Sequence, residues 1–182
     1  MFEGGISQSE WDSLENDEKK PMYNRALASA YPPGSTFKIV TTVAAMQSGK
    51  FSTGNTYYCP GGFFRRGVRL RCLGHHGAIS FNRAMAKSCN TYFCSVGAAV
   101  GEDALRKAAL DMGLGERPGL EIGGKRGVVP TRKWIEAVAP DHKYVWYAGD
   151  TANFSVGQGY MNTTPIQMAN VAAMVADRKS VV

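Results

Sequence analysis

The chain has 182 residues, 44% hydrophobic and 20% charged, which is a globular composition with enough length for one core of ordinary domain size. Its 21 Lys and Arg against 15 Asp and Glu give +6, a mild excess that a solvated surface accounts for and that suits anionic polymers or membrane surfaces as partners. No window approaches the ~18 apolar residues of a membrane span, and Met1-Phe2-Glu3-Gly4-Gly5 has neither the basic nor the apolar part of an export signal.

The stretch to about Pro21 is polar and acidic and reads as a lead-in, in which Trp11 and Leu14 are spaced to dock a short helix. Tyr31-Pro32-Pro33-Gly34 is a rigid turn that launches a helix from Ser35 to about Gln47, with Phe37, Val40, Val43 and Ala44 on one face and Gly49 as its stop. Residues 50–80 alternate aromatics, glycines and arginines in the manner of short strands and loops. Arg65, Arg66, Arg69 and Arg71, with Phe63 and Phe64, read as one solvated face of a hairpin, and nucleic acid is not expected as a partner. A second helix is expected from Ser80 through Ala84, Met85 and Cys89 into Tyr92 and Phe93, and a third from Asp103 to Met112, stopped by Gly113. Residues 115–129 read as loop with one short strand, Thr131-Arg132-Lys133-Trp134 as a helix start, and Thr164-Pro165 as the start of a last helix to about Val175. Trp134, Trp146 and Tyr147 are expected to pack or to wall a cleft. Asp177 to Val182 is charged and without loop chemistry, and is expected to be a non-native tail at which the gene is cut short.

Ser35-Thr36-Phe37-Lys38 sets a hydroxyl and an amine three residues apart in the first turn of a helix, so the two side chains share a face. A serine hydroxyl is a poor nucleophile until a neighbour takes its proton, and a lysine does so when burial holds it neutral. The helix start also offers backbone N–H groups to an oxyanion. Alone, a serine there is more often a plain cap. Here it is followed, 50 residues beyond Lys38, by Ser88-Cys89-Asn90-Thr91-Tyr92-Phe93, then by Ser155-Val156-Gly157-Gln158-Gly159-Tyr160 and Thr164-Pro165-Ile166-Gln167-Met168-Ala169.

In order and spacing these segments resemble the first and second motifs and the Gly-Gln-Gly segment of class B penicillin-binding proteins, in the elongation branch called penicillin-binding protein 2. The resemblance runs from about Phe2 to Ala176. It implies an α+β fold, the helix-rich part of the penicillin-binding protein and serine β-lactamase transpeptidase fold with its antiparallel sheet incomplete, as a partial domain over residues 1–176. It implies a peptidoglycan D,D-transpeptidase with Ser35 as acylated nucleophile, Lys38 as proton acceptor, Ser88 as proton relay and Asn90 holding the substrate amide. Gly157, Gln158 and Gly159 would form a close-packed loop on the substrate side. Stem peptides, β-lactams and, for a full-length protein, a membrane glycosyltransferase would be the partners, on the periplasmic face of the inner membrane; catalysis needs no cofactor. The family's Lys-Thr-Gly or Lys-Ser-Gly does not follow Gly159, so these residues alone are expected to be inactive and poorly soluble. A β-lactam sensor or β-lactamase-like domain, or a non-catalytic zinc-braced binding module, are the other readings.

Cys59, Cys72, His76 and Cys89, spaced x12, x3 and x12, offer three thiolates and an imidazole, a set suited to tetrahedral zinc. A disulfide among the three cysteines and free buried thiols are rival readings. His75 competes for the imidazole role, and Cys94, after Phe93, reads as core.

Overall fold

In the computed structural model, which describes residues 4–65, 67–138 and 145–177, the lead-in forms α1 (Gln8–Glu15). Ser7 and Glu10 start it with a capping box, but none of its residues is buried, so neither Trp11 nor Leu14 is enclosed. After α2 (Arg25–Ala28), the Pro-Pro-Gly turn leads into a single 3-10 turn, Gly34–Phe37, that runs straight into α3 (Lys38–Gln47). Proline fixes the approach, and Gly34 takes φ 56°, where a side chain is strained. The expected apolar face is present, with Phe37, Val40 and Ala44 buried and Val43 partly so.

Residues 50–80 form two nested antiparallel ribbons. β1 (Thr56–Cys59) pairs with β4 (Gly77–Ser80), and between them β2 (Gly62–Arg65) pairs with β3 (Val68–Arg71). Period-two alternation puts Phe63, Arg65, Val68 and Leu70 on one face of the inner ribbon and Phe64, Arg69 and Arg71 on the other. The arginines therefore do not share a face as expected: Arg69 and Arg71 do, Arg65 at the tip does not, and Arg66 lies outside the described residues.

The single helix expected from Ser80 to Phe93 is two helices, α4 (Phe81–Ala86) and α5 (Asn90–Val100). Ser88 breaks them apart with a left-handed φ of 49°. Such a conformation costs a non-glycine residue about 1–3 kcal/mol, and no local propensity announces it. Cys89 then caps α5, its Sγ accepting the Tyr92 N–H at 3.4 Å. α6 (Glu102–Asp111) follows Gly101, and Gly113 stands just beyond its end at φ 75°.

No strand forms in 115–129; Val128 makes only an isolated bridge with Asn162. α7 (Arg132–Val138) starts where expected, whereas α8 (Ala148–Phe154) was not anticipated. α9 (Pro165–Asp177) closes the described chain, and residues 178–182 of the expected tail lie outside the described residues. Buried Gln167 ties the 115–129 loop to α9, its Nε2 donating to the carbonyls of Glu116 (2.8 Å) and Arg126 (3.0 Å).

The core lies among α3, α5, α6 and α8, with Phe37 stacked on Phe154 at 5.2 Å and Tyr92, Phe93, Cys94 and Leu105 buried around them. Trp146 packs there too, its Nε1 donating to Thr151 Oγ1 and the Arg106 guanidinium lying 4.4 Å over its ring; Tyr147 is exposed. Gly97 lets α5 approach the end of α8: a Cβ there would overlap Ser155 Oγ. Among the described residues no helix is long and apolar enough to cross a membrane.

Candidate active site

Three elements converge on one amine. The Lys38 side chain leaves the first turn of α3, is 2% exposed, and reaches the break between α4 and α5. Its Nζ lies 2.7 Å from the Ser88 carbonyl oxygen, 2.7 Å from Asn90 Oδ1, 2.9 Å from Ser88 Oγ and 3.1 Å from Ser35 Oγ. Ser88 Oγ lies 2.9 Å from Ser35 Oγ, so the two hydroxyls and the amine form a closed triangle. The left-handed turn at Ser88 is what aims its carbonyl and its hydroxyl at the same nitrogen.

Burial lowers the Lys38 pKa, against the opposing pull of Cys72, Cys94 and Cys89. A neutral amine has two N–H bonds and one lone pair. The two carbonyl oxygens accept only, so Ser88 O and Asn90 Oδ1 take both hydrogens and the lone pair is left for a hydroxyl. In its neutral form the amine would therefore have its lone pair free to receive the Ser35 or Ser88 proton.

Ser35 is exposed, and with Asn90 it lines a cavity of about 350 Å³ closed by Leu70, Asn153, Val156, Gln158 and Gly159. Gly157 stands behind this wall. Its carbonyl accepts the Gly34 N–H at 2.9 Å, its φ is 68°, and a Cβ there would overlap the Gly34 carbonyl and crowd Phe37 Cβ at 2.7 Å. Only glycine fits, and the contact fixes the turn that carries Ser35. Asn90 is held from its other side as well, Nδ2 donating to the Arg71 carbonyl at 2.9 Å. Leu70, Asn153 and the Arg71 carbonyl are parts of this site that residue order does not announce. Leu70 comes from the inner ribbon and the Arg71 contribution is main chain, which no side-chain motif encodes.

Behind Asn90, Cys59 Sγ, Cys72 Sγ, His76 and Cys89 Sγ bring four ligand atoms within 4.8 Å of one another. His75 is exposed and is not among them. All four cysteines are free, and Cys94 is buried in the core, as read. Zinc bonds of ~2.3 Å to sulfur and ~2.0 Å to nitrogen give tetrahedral edges of roughly 3.5–3.8 Å. Cys72 Sγ lies 3.8 Å from Cys89 Sγ and 3.6 Å from His76 Nδ1, so the donor set fits such an ion. Burial pushes the Cys89 thiol up to about 12. At Cys72 burial acts in the same sense, but the N–H groups of Thr91, Gly74 and Asn90 and the Cys89 thiol outweigh it and bring that thiol down to about 6.

Residues 6–181 match the model of the penicillin binding protein transpeptidase domain. The chain belongs to the penicillin-binding protein transpeptidase family. It is 34% identical over 174 residues to peptidoglycan D,D-transpeptidase MrdA of Escherichia coli, an alignment that takes in 93% of the chain and 27% of that relative. The chain thus spans about a quarter of the relative's length. Penicillin-binding protein 2 of Pseudomonas aeruginosa, solved with WCK 5153, superposes with a TM-score of 0.84 at 31% identity over 96% of this chain and 40% of that one. Penicillin-binding protein A of Mycobacterium tuberculosis, solved as an imipenem acyl-enzyme, gives 0.75 at 30% identity over 92% of this chain and 37% of its own. The α+β fold, helix-rich with small antiparallel sheets, is that of the family transpeptidase domain.

Proposed function

We propose that these residues carry the nucleophile half of a peptidoglycan D,D-transpeptidase. The observation behind this is the position of Lys38 Nζ, buried and in reach of Ser35 Oγ, Ser88 Oγ and Asn90 Oδ1 together. Ser35 Oγ attacks the carbonyl between the two terminal D-alanines of a stem peptide while its proton passes to Lys38. The carbon–nitrogen bond breaks, and Ser88 hands a proton to the departing D-alanine amine. An amine of a neighbouring stem peptide then attacks the Ser35 ester, loses its proton through the same pair, and forms the cross-link as Ser35 Oγ is released. Asn90 and the wall of Gln158 and Gly159 hold the substrate backbone. A β-lactam opens on the same hydroxyl.

The Ser35 N–H supplies one oxyanion donor. The family places a second on its Lys-Ser/Thr-Gly strand, a motif that does not follow Gly159 in these residues. One such donor is worth about 10²- to 10³-fold in rate, so residues 1–182 alone react slowly, and full activity belongs to a longer chain on the periplasmic face of the inner membrane with a membrane glycosyltransferase partner. Incubation with a fluorescent penicillin followed by peptide mass mapping tests the assignment: the adduct is expected on the peptide containing Ser35. An adduct elsewhere in the longer chain, or none, overturns it, and metal retention without any adduct is the result the non-catalytic module requires.

Zinc is proposed for Cys59, Cys72, His76 and Cys89, where it serves structure by tying β1 and the loop after β3 to the Ser88–Asn90 turn. Metal analysis of the purified chain is expected to give one zinc per chain, reduced by Cys72→Ser and His76→Ala but not by His75→Ala.

A further inference from the structure

The same sulfur atoms that suit a metal also stand within reach of covalent pairing, and they are not equivalent. Cys59 Sγ is already engaged, donating to Thr91 Oγ1 at 3.1 Å and lying 3.5 Å from the Gly74 carbonyl, and the residue is 1% exposed. Cys72 is the one partly exposed thiol of the three, and its sulfur is 3.8 Å from Cys89 Sγ. Cys89 in turn sits between Ser88 and Asn90 and caps α5 through its sulfur. Cys72 follows Arg71, whose carbonyl receives the Asn90 amide. A bond between these two sulfurs therefore joins the two segments that hold Asn90.

We propose that Cys72 and Cys89 are a reversible disulfide site, closed when metal is absent or displaced, and that closure disarms the Ser88–Asn90 turn. With a disulfide oxidant the chemistry is a two-step exchange. The Cys72 thiolate attacks the oxidant's sulfur–sulfur bond and one thiolate leaves. Cys89 sulfur then attacks Cys72 of the mixed disulfide and the second thiolate leaves. Two cysteine sulfurs are oxidised and one small-molecule disulfide is reduced to two thiols. A sulfur–sulfur bond is ~2.05 Å long, so the atoms must close by roughly 1.8 Å, which draws Cys89 from the Tyr92 N–H and shifts Ser88 and Asn90 against Lys38. Cys59 and His76 alone do not retain a zinc ion, so oxidation and metal binding exclude each other.

The pairing does not depend on the zinc assignment; only the claim of metal release rests on it. The test uses this chain, stripped of metal with a chelator or loaded with one equivalent of zinc, and treated with oxidised glutathione. Peptide mapping after alkylation is expected to find Cys72 joined to Cys89, with Cys59 and Cys94 alkylated; Cys94, held in the core against the Ala152 carbonyl, serves as the internal control. A bridge from Cys59, or no bridge, overturns the proposal. In the zinc-loaded sample a chromogenic chelator is expected to detect one zinc released per bridge formed, and metal that stays bound to bridged chain refutes mutual exclusion. A metal-free chain that bridges 72 to 89 but never takes up zinc sinks the zinc reading and leaves the disulfide standing. In the longer chain, oxidation is expected to slow penicillin labelling of Ser35 by roughly 10- to 100-fold, the scale of a small misplacement of catalytic groups, and a reductant to restore it. Unchanged labelling of fully bridged protein refutes the coupling to the turn.

Discussion

Replacing Lys38 with methionine separates what the amine does for chemistry from what it does for structure. Methionine fills much of the stem's volume and donates nothing. Ser88 O and Asn90 Oδ1, each 2.7 Å from Nζ, then lose their N–H partners. A buried acceptor left unpaired costs about 1–3 kcal/mol, so the pair costs roughly 2–6 kcal/mol. Two effects reduce this: a buried amine no longer has to be desolvated, and Asn90, which lines the cavity, can regain water. A net loss of about 1–3 kcal/mol is expected in urea unfolding. Acylation loses its proton acceptor and is expected to fall by roughly 10²- to 10⁴-fold in stopped-flow labelling of the longer chain. Ser35→Ala supplies the contrast. That side chain is exposed, so its removal abolishes labelling while stability stays within about 0.5 kcal/mol. Labelling of Lys38→Met within tenfold of the parent, or a Ser35→Ala chain as destabilised as Lys38→Met, would show that the triangle of hydroxyls and amine has been misread.

Gly157→Ala forces a side chain into φ 68° and against the Gly34 carbonyl, and is expected to cost about 2–4 kcal/mol in denaturant melts and to slow acylation together; a melt within 0.5 kcal/mol of the parent contradicts the clamp. Gly97→Ala overlaps Ser155 Oγ at the approach of α5 to α8 and is expected to lose about 1–3 kcal/mol, again read by urea unfolding. Because burial lowers the Lys38 pKa, the folded state binds fewer protons than the unfolded one between the lowered value and the ordinary 10.5. Lys38 therefore destabilises below that window and progressively less as pH rises through it, so the stability difference between parent and Lys38→Met should move in the parent's favour with rising pH. Acylation should also rise with pH and level off above the lowered pKa, and a rate that falls over that range refutes a neutral-amine base. Chelation of metal is expected to lower the melting temperature of the parent but not of Cys72→Ser, as followed by circular dichroism.

Much of this site could be read from residue order. A hydroxyl and an amine three apart at a helix start meet because helical geometry makes them meet, and Ser35 and Lys38 do so at 3.1 Å. The cysteines and His76 could be grouped because few arrangements of such ligands are useful, although spacing does not choose between the two histidines; the fold does, by setting His76 beside the three sulfurs and leaving His75 exposed. What escaped was set by main-chain geometry and packing. The apolar positions of α4 and α5 continue through Ser88 as if in one helix, yet its left-handed turn is closed by the Ser88 N–H on the Met85 carbonyl (3.0 Å) and the Cys89 N–H on the Ala84 carbonyl (2.9 Å), with the Lys38 amine on the Ser88 carbonyl beyond them. α8 was missed because Gly149, Asp150, Thr151 and Asn153 are indifferent helix formers, and packing of Ala152 and Phe154 into the core outweighs them.

The bond between Gly34 and Gly157 also orders events in time. Its two ends lie on opposite sides of nearly everything else described, so a growing chain carries its nucleophile on an unanchored turn until the segment near Gly157 has emerged and found its partner. Loop closure of that length is slow to nucleate and is reached after local helices have formed. The turn that carries Ser35 is thus fixed late in folding, when residues 34 and 157 come together.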